Sequence, residues 1–212
     1  MAGQVITVAQ QKGGSGKTTL AVHLAVHYLR QGHSIALLDT DPQGSLGRWF
    51  MARVERTDGA PEMEFSTASA WGVGYEVGKL KRSYDFVFVD TPPKADSDLR
   101  PALREADLAI VPVAASALDL WATESVLDLV DRTGRRALMV LNRARPGTRV
   151  HSETVAQMAE LPAPMAEAAL NNRVIYAESM GQGLGVTEKA RSGPAAAEVA
   201  ALATEVSAAL SG

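Results

Sequence analysis

The stretch QQKGGSGKTT, residues 10–19, carries phosphate chemistry in its residue types and order. Gly13, Gly14, Ser15, Gly16, Lys17, Thr18 and Thr19 follow an apolar run and lead into a helical pattern. Backbone N–H groups of a glycine-rich loop entering a helix bind phosphate oxygens. A lysine at position 17 reaches β and γ phosphates, and a hydroxyl at position 18 ligates Mg²⁺. The standard Gly-x-x-x-x-Gly-Lys-Ser/Thr spacing asks for glycine at 11, where Gln11 stands; Gly13 and Gly14 supply the flexibility instead. Lys12 is a second cation where such a loop needs none. Spacing alone leaves it either an exposed loop lysine without a role or a ligand contact.

A triphosphate site with a metal also needs carboxylates. LLDTDPQGS places Asp39 and Asp41 after one apolar run, and FVFVDTPP places Asp90 at the end of another. If these runs are parallel strands, their C-terminal ends share the sheet edge where ligands bind. Each Asp alone could be a helix cap. Three at one edge point to a metal and nucleotide site.

The elements that must position these groups alternate. VITVA (5–9), IALLD (35–39), FVFVD (86–90), LAIVPV (108–113) and ALMVLN (137–142) are apolar almost throughout, which marks strands covered on both faces. MEFSTA (63–68) is a weaker candidate. Helices are expected over 17–31, 45–56, 72–82, 97–106, 118–133, 151–160, 171–180 and 195–210, with GQGLG (181–185) a flexible loop. Leu20, Leu24 and Tyr28 form the apolar stripe of the first helix, and Val199, Leu202, Val206 and Leu210 that of the last. The expected fold is α/β: a doubly wound, mostly parallel sheet flanked by helices on both faces, in a single domain spanning 1–212.

Composition narrows the chemistry. The chain has 212 residues, 46% hydrophobic and 21% charged, with a net charge of −3 and no cysteine. Thiolate metal sites, iron–sulfur clusters and cysteine nucleophiles are excluded. No run approaches a membrane span and no secretory leader is read, so a cytoplasmic protein is expected.

In order, KGGSGKTT, LLDTDPQGS, FVFVDTPP and VPVAASALDL resemble the ParA/MinD family of deviant P-loop ATPases, in its small ParA (ParF-like) type without an N-terminal DNA-binding domain. The resemblance implies an ATPase using ATP and Mg²⁺. Lys12 matches the signature lysine that crosses an ATP-bound homodimer to the partner's phosphates. Lys17 and Thr18 match the phosphate and metal contacts, Asp41 the acid associated with Mg²⁺ and the attacking water, and Asp90 the Walker B acid. Asn142 matches the adenine-recognising asparagine, and Asp119 a residue near the dimer interface. The family also implies non-specific DNA binding by the dimer, a nucleoid-associated location, and a ParB-like or cargo-adaptor protein that stimulates hydrolysis, so that a plasmid, chromosome region or protein cluster is positioned. Ala115 and Ala117 depart from prolines common in the family.

Alternatives within the fold are a MinD-like membrane-cycling ATPase and an ATP-dependent small-molecule enzyme. Residues 195–212 hold no Lys or Arg and include Glu198 and Glu205, so no membrane attachment is expected there. Residues 132–149 hold six arginines and no acid. Arg143, Arg145, Arg149, Arg173 and Arg191 are DNA-binding candidates. The cluster could equally complement a helix C-terminus and frame the base. His23 and His27 are read as surface or boundary residues, Trp49-Phe50 as packing, and Trp121 as helping to cover the sheet.

Overall fold

The computed structural model describes residues 2–93 and 96–212; the side chains of residues 96, 117 and 118 lie outside the described set, so the departure at Ala117 does too. Strands β1 (Gln4–Val8), β2 (Ile35–Asp39), β3 (Glu64–Thr67), β4 (Phe86–Asp90), β5 (Leu108–Ala114), β6 (Ala137–Ala144) and β7 (Leu170–Asn171) form one sheet in the order β3-β2-β4-β1-β5-β6-β7. Every pairing is parallel. Register sets Asp90 opposite both Val8 and Asp39, which brings the two strand-end carboxylates into one row at the C-terminal edge.

Both faces are covered, which is why the strands lack polar alternation. On one face Ile6, Val8, Ile35, Leu37, Phe88, Ile110 and Val140 pack under α1 (Lys17–Arg30), α2 (Ser45–Arg56) and α9 (Pro194–Ser211). On the other, Val5, Leu38, Val87 and Val89 meet α3 (Val73–Leu80) and α4 (Asp96–Glu105). Val111, Val113, Met139 and Leu141 meet α4, α5 (Ala117–Arg132) and α6 (Arg149–Ala159). Two short helices, α7 (Val174–Met180) and α8 (Val186–Lys189), complete the first face.

Three expectations are corrected. His23 is fully buried, because the Tyr176 ring packs 5.0 Å from its own and Val186 at the start of the 186–189 helix donates its amide to Nδ1 at 3.3 Å. Trp121 is 64% exposed: Leu120, Val126, Leu127 and Val130 cover that face of the sheet, and Trp121 projects outward. The 181–185 loop is a docked wedge. Gly183 (φ 66°) lies so close to α2 that a Cβ would strike the Arg53 backbone, its carbonyl accepts from Arg53 Nη1 at 3.2 Å, and the Leu184 carbonyl accepts from Trp49 Nε1 at 3.3 Å. Arg53, 1% exposed, also donates through Nη1 and Nη2 to the two Glu188 oxygens at 3.0 Å. A buried cation of this kind is tolerated only with its partners in place.

Candidate nucleotide-binding site

Gly16 (φ 90°) is the N-cap of α1, and no side chain caps the helix among the described residues. Its first turn holds no acid. The free N–H groups and the positive end of the helix dipole are therefore left to an anion. The contrast is α5, whose N-terminus is capped by Ser116 Oγ accepting from the Asp119 amide. Gly16 is required twice over: its φ is left-handed, and a Cβ there would run into the Asn142 amide.

Lys17 is 6% exposed. Burial lowers its pKa, and the charges of Asp90 and Asp41 oppose that shift. Thr18 Oγ1 donates to Asp90 Oδ2 at 2.6 Å. Burial pushes the Asp90 carboxyl up to about 7 against that hydrogen bond, and its Oδ1 is buried without a partner among the described residues. A buried carboxylate oxygen in this state can accept a further donor or a cation. Asp39 serves the loop: its oxygens accept from the Asp41 amide and the Gly47 amide, both at 3.0 Å, fixing the turn into α2. Asp41 takes the Gln43 amide at 2.9 Å and borders the same cleft as Lys17.

That cleft, about 410 Å³, is lined by Gly14, Gly16, Lys17, Thr18, Thr19 and Asp41 on one side and Arg143, Ala177 and Met180 on the other. A second cavity of about 160 Å³ adjoins it and shares Gly16, Thr19, Arg143 and Ala177. Asn142, Leu170, Asn171, Asn172, Arg173 and Tyr176 complete its wall. Asn142 Nδ2 donates to the Ser15 carbonyl at 2.8 Å, while its Oδ1 accepts from the Arg143 amide. It therefore ties the phosphate loop to the second cavity. Glu198 braces that cavity from behind, accepting from Asn171, Arg173 and Tyr176. Burial would raise the Glu198 pKa, but these donors outweigh it and hold the carboxyl low. Sequence reasoning missed this wall: β7 has two residues, too few for a pattern.

Lys12 stands apart from the cleft. Its Nζ contacts Asp119 Oδ2 at 2.5 Å and Ser116 Oγ at 3.2 Å. The lysine side chain is 34% exposed and the aspartate 3%. Asp119 thus turns inward onto its own chain. Gln10 Nε2 donates to Pro112 O and to Thr123 Oγ1, so the loop and α5 are bonded beneath Lys12 as well.

The arginine candidates separate. Arg143 and Arg145 share an open groove of about 640 Å³ with Ala114, Ala115, Thr148, Val150 and Asn172. Arg145 donates to the Asn172 carboxamide oxygen. Arg149 is paired with Glu153 at 2.7 Å. Arg173 sits in the wall described above, paired with Glu198 at 2.7 Å. Arg191 is exposed and lines neither cavity. Among the described residues no group of three or more His, Cys, Asp or Glu side chains forms a metal cage, and no helix is long and apolar enough to cross a membrane.

A parallel sheet with a glycine loop, an uncapped helix and strand-end acids at one edge defines a P-loop NTPase. The chain belongs to the CobQ/CobB/MinD/ParA nucleotide-binding domain family, whose profile matches residues 6–186. It is 28% identical to the maintenance of carboxysome distribution protein A of Halothiobacillus neapolitanus, over 91% of each chain. It is 34% identical to the protein of that name from Gloeobacter kilaueensis, over 76% of this chain and 74% of that one. The fold is that of the septum site-determining protein MinD of Pyrococcus horikoshii, solved with Mg-ADP: the TM-score is 0.81 at 19% identity, covering 96% of this chain and 95% of that one. The ParA/MinD resemblance and the doubly wound parallel fold expected from the sequence are thereby borne out.

Proposed function

We propose that the chain, acting as one domain over residues 1–212, is a ParA-type ATPase. It dimerises with ATP, binds DNA without sequence preference, and positions cargo through hydrolysis stimulated by a partner. One observation carries the nucleotide reading: Lys17, Thr18 and Asp41 line one cleft at the start of an uncapped helix, and the buried Asp90 accepts from Thr18 behind it. Backbone N–H groups from Gly13 to Thr19 cradle the phosphates, and Lys17 meets the β and γ oxygens. Asn142, holding Ser15, sets the loop against the base.

The oxygen donors of Thr18, Asp90 and Asp41 fit Mg²⁺, and the unpartnered Asp90 Oδ1 supports such a fit. Few protein ligands suffice, since Mg²⁺ keeps waters and takes phosphate oxygens. When bound, it neutralises charge on the β and γ oxygens. Asp41, at the cleft mouth, orients the attacking water.

One Lys and one metal leave charge uncompensated on the transferring group, and a cation from a partner raises such rates by roughly 10³ to 10⁵. Lys12 supplies it across the dimer after leaving Asp119. Arg143 and Arg145, which share an open groove, are the favoured contacts to DNA phosphates. Arg149 and Arg173 contribute less, because carboxylates already hold them.

Co-sedimentation of the chain with duplex DNA and, separately, with anionic vesicles, each with ATP and with ADP, tests this reading. ATP-dependent pelleting with DNA alone is expected. Pelleting with vesicles alone would put a membrane-cycling ATPase in its place.

A further inference from the structure

Strands β5 and β6 begin at Leu108 and Ala137, at the edge of the sheet opposite the nucleotide cleft. A cavity of about 350 Å³ opens there, within the range of about 300–1,000 Å³ usual for small-molecule pockets. Its floor is apolar: Leu108, Leu127, Val130 and Ala137. Pro162, Ala163 and Pro164 form a wall, to which Ala209 of α9 adds. The wall is built in advance of any ligand. The Met139 amide donates to the Pro164 carbonyl at 2.9 Å, and the Ala166 amide donates to the Met139 carbonyl at 2.8 Å. The proline corner is thereby laid along β6 like a short parallel strand.

Charge enters the lining only where α5 ends. That end is a Schellman turn: the Gly134 amide (φ 67°) donates to the Asp131 carbonyl at 2.8 Å, and the Arg135 amide donates to the Val130 carbonyl at 3.3 Å. The turn sets Arg135 and Arg136 beside the apolar floor. Each guanidinium is steadied by a carbonyl in the last turn of a helix. Arg135 Nη2 donates to the Arg104 carbonyl of α4, and Arg136 Nη2 donates to the Leu210 carbonyl of α9 at 3.4 Å. Arg135, Arg136 and Asp131 join no ion pair among the described residues. Together they leave one positive charge on the lining. A guanidinium carries five N–H donors in a planar fork, and a carboxylate takes two of them at once. A surface for phosphates alone has no use for the apolar floor, and a surface for apolar side chains alone has no use for two unpaired arginines. One molecule complements both: a single carboxylate on an aliphatic tail.

We propose that this cavity binds a small amphipathic monocarboxylate, with its head on Arg135 and Arg136 and its tail against Leu127, Val130 and Ala163. The site stands on the cavity alone and is independent of the ATPase reading.

The test uses the full chain without nucleotide and reads backbone amide shifts by NMR. Butanoate, hexanoate and octanoate are titrated below micelle-forming concentrations, with octanol and octylamine as head-group controls. Octanoate is expected to shift the amides of Ala137, Ala163 and Ala209 saturably and to leave the loop at 13–19 unmoved. Affinity should rise along the series by up to about fourfold per added methylene. Octanol and octylamine should bind at least about tenfold more weakly than octanoate. The pair Arg135→Gln, Arg136→Gln should weaken octanoate by about tenfold and leave octanol unchanged. Ala163→Phe fills the cavity with both arginines in place and should remove the dependence on tail length. It decides the matter should the Gln pair, which gives up two helix-end contacts, fail to fold. Equal affinity for all three carboxylates would overturn the site, because the arginines would then bind anions without the floor. Octylamine bound as tightly as octanoate, octanoate undiminished by the Gln pair, a length dependence untouched by Ala163→Phe, or shifts confined to another part of the chain would each do the same.

Discussion

On the proposed phosphate side of the cleft, Gly14 and residues 16–19 meet Asp41 of the loop after β2; on the proposed base side, the wall is collected from β6, β7 and α7 and braced by Glu198 of α9. The phosphate side works through local geometry: a left-handed glycine, an uncapped helix and a lysine next in sequence. The base side works through tertiary packing, and its polar groups are spent on one another. A loop of the first kind keeps its shape as long as α1 and β1 stand. A wall of the second kind depends on several elements holding register together. Two points join them: Asn142 to Ser15, and His23 of α1, whose ring lies 5.0 Å from that of Tyr176.

If binding is dominated by the phosphate side, Lys17→Ala should cost the most. The buried ammonium has no neighbour positioned to replace it, and charge-assisted contacts to phosphate are the strong ones. A loss of about 100-fold in ATP affinity is expected, about 3 kcal/mol, read by titration calorimetry. Retained affinity would mean that the base side carries the binding.

The joint at His23 gives a pH test. Burial lowers its pKa to about 4 from 6.5, although a backbone hydrogen bond at Tyr176 opposes the shift, and its Nδ1 accepts from the Val186 amide at 3.3 Å. The folded chain therefore binds this proton less readily than the unfolded one. Stability is complete above pH 6.5 and is lost as pH falls toward about 4, by about 3 kcal/mol. Asp90 acts with opposite sign, since its raised value favours the folded state as pH falls. Comparing the wild type with His23→Gln in urea melts across this range cancels the Asp90 effect. The acid-side loss should shrink in the variant; parallel curves would show that the joint does not titrate.

Glu198→Gln weakens the base side alone. Asn171, Arg173 and Tyr176 lose a charged acceptor but keep a neutral one. ATP affinity should fall by about tenfold, about 1.4 kcal/mol, while inorganic tripolyphosphate binds unchanged. Equal losses for both ligands would show that the two sides are not separable.

The same contrast explains what could be read from the chain. The loop, Asp41 and Asp90 are legible because their chemistry is local: two strands and α2 fall at 35–39, 86–90 and 45–56 as the apolar pattern predicts. Glu198 and Asn171 leave no such trace, being 27 residues apart and meaningful only once α9 lies behind β7. His23 escaped because a single stripe says nothing about a helix covered on a second side. Trp121 escaped for the converse reason: one step beyond Leu120 turns it from the sheet to the outside. The glycines at 181–185 suggest mobility, yet Gly183 is there to let two backbones meet.

The smallest effect is expected where the phosphate loop meets α5. Asp119→Asn keeps the side-chain size and its place beside Ser116 but removes the charge holding Lys12. The lysine is a third exposed, so the pair is screened and worth about 1 kcal/mol at most. If Lys12 must leave Asp119 to reach a partner's phosphates, that pair opposes dimerisation. Its loss should tighten the ATP-bound dimer by no more than about fivefold in sedimentation equilibrium. ATP binding by one chain should stay as it was, because Lys12 lies outside the cleft lining. A weaker dimer would instead make Asp119 part of the contact between copies. An unchanged dimer would mean that releasing Lys12 costs nothing, and the two lysines five residues apart would then owe their difference to position alone.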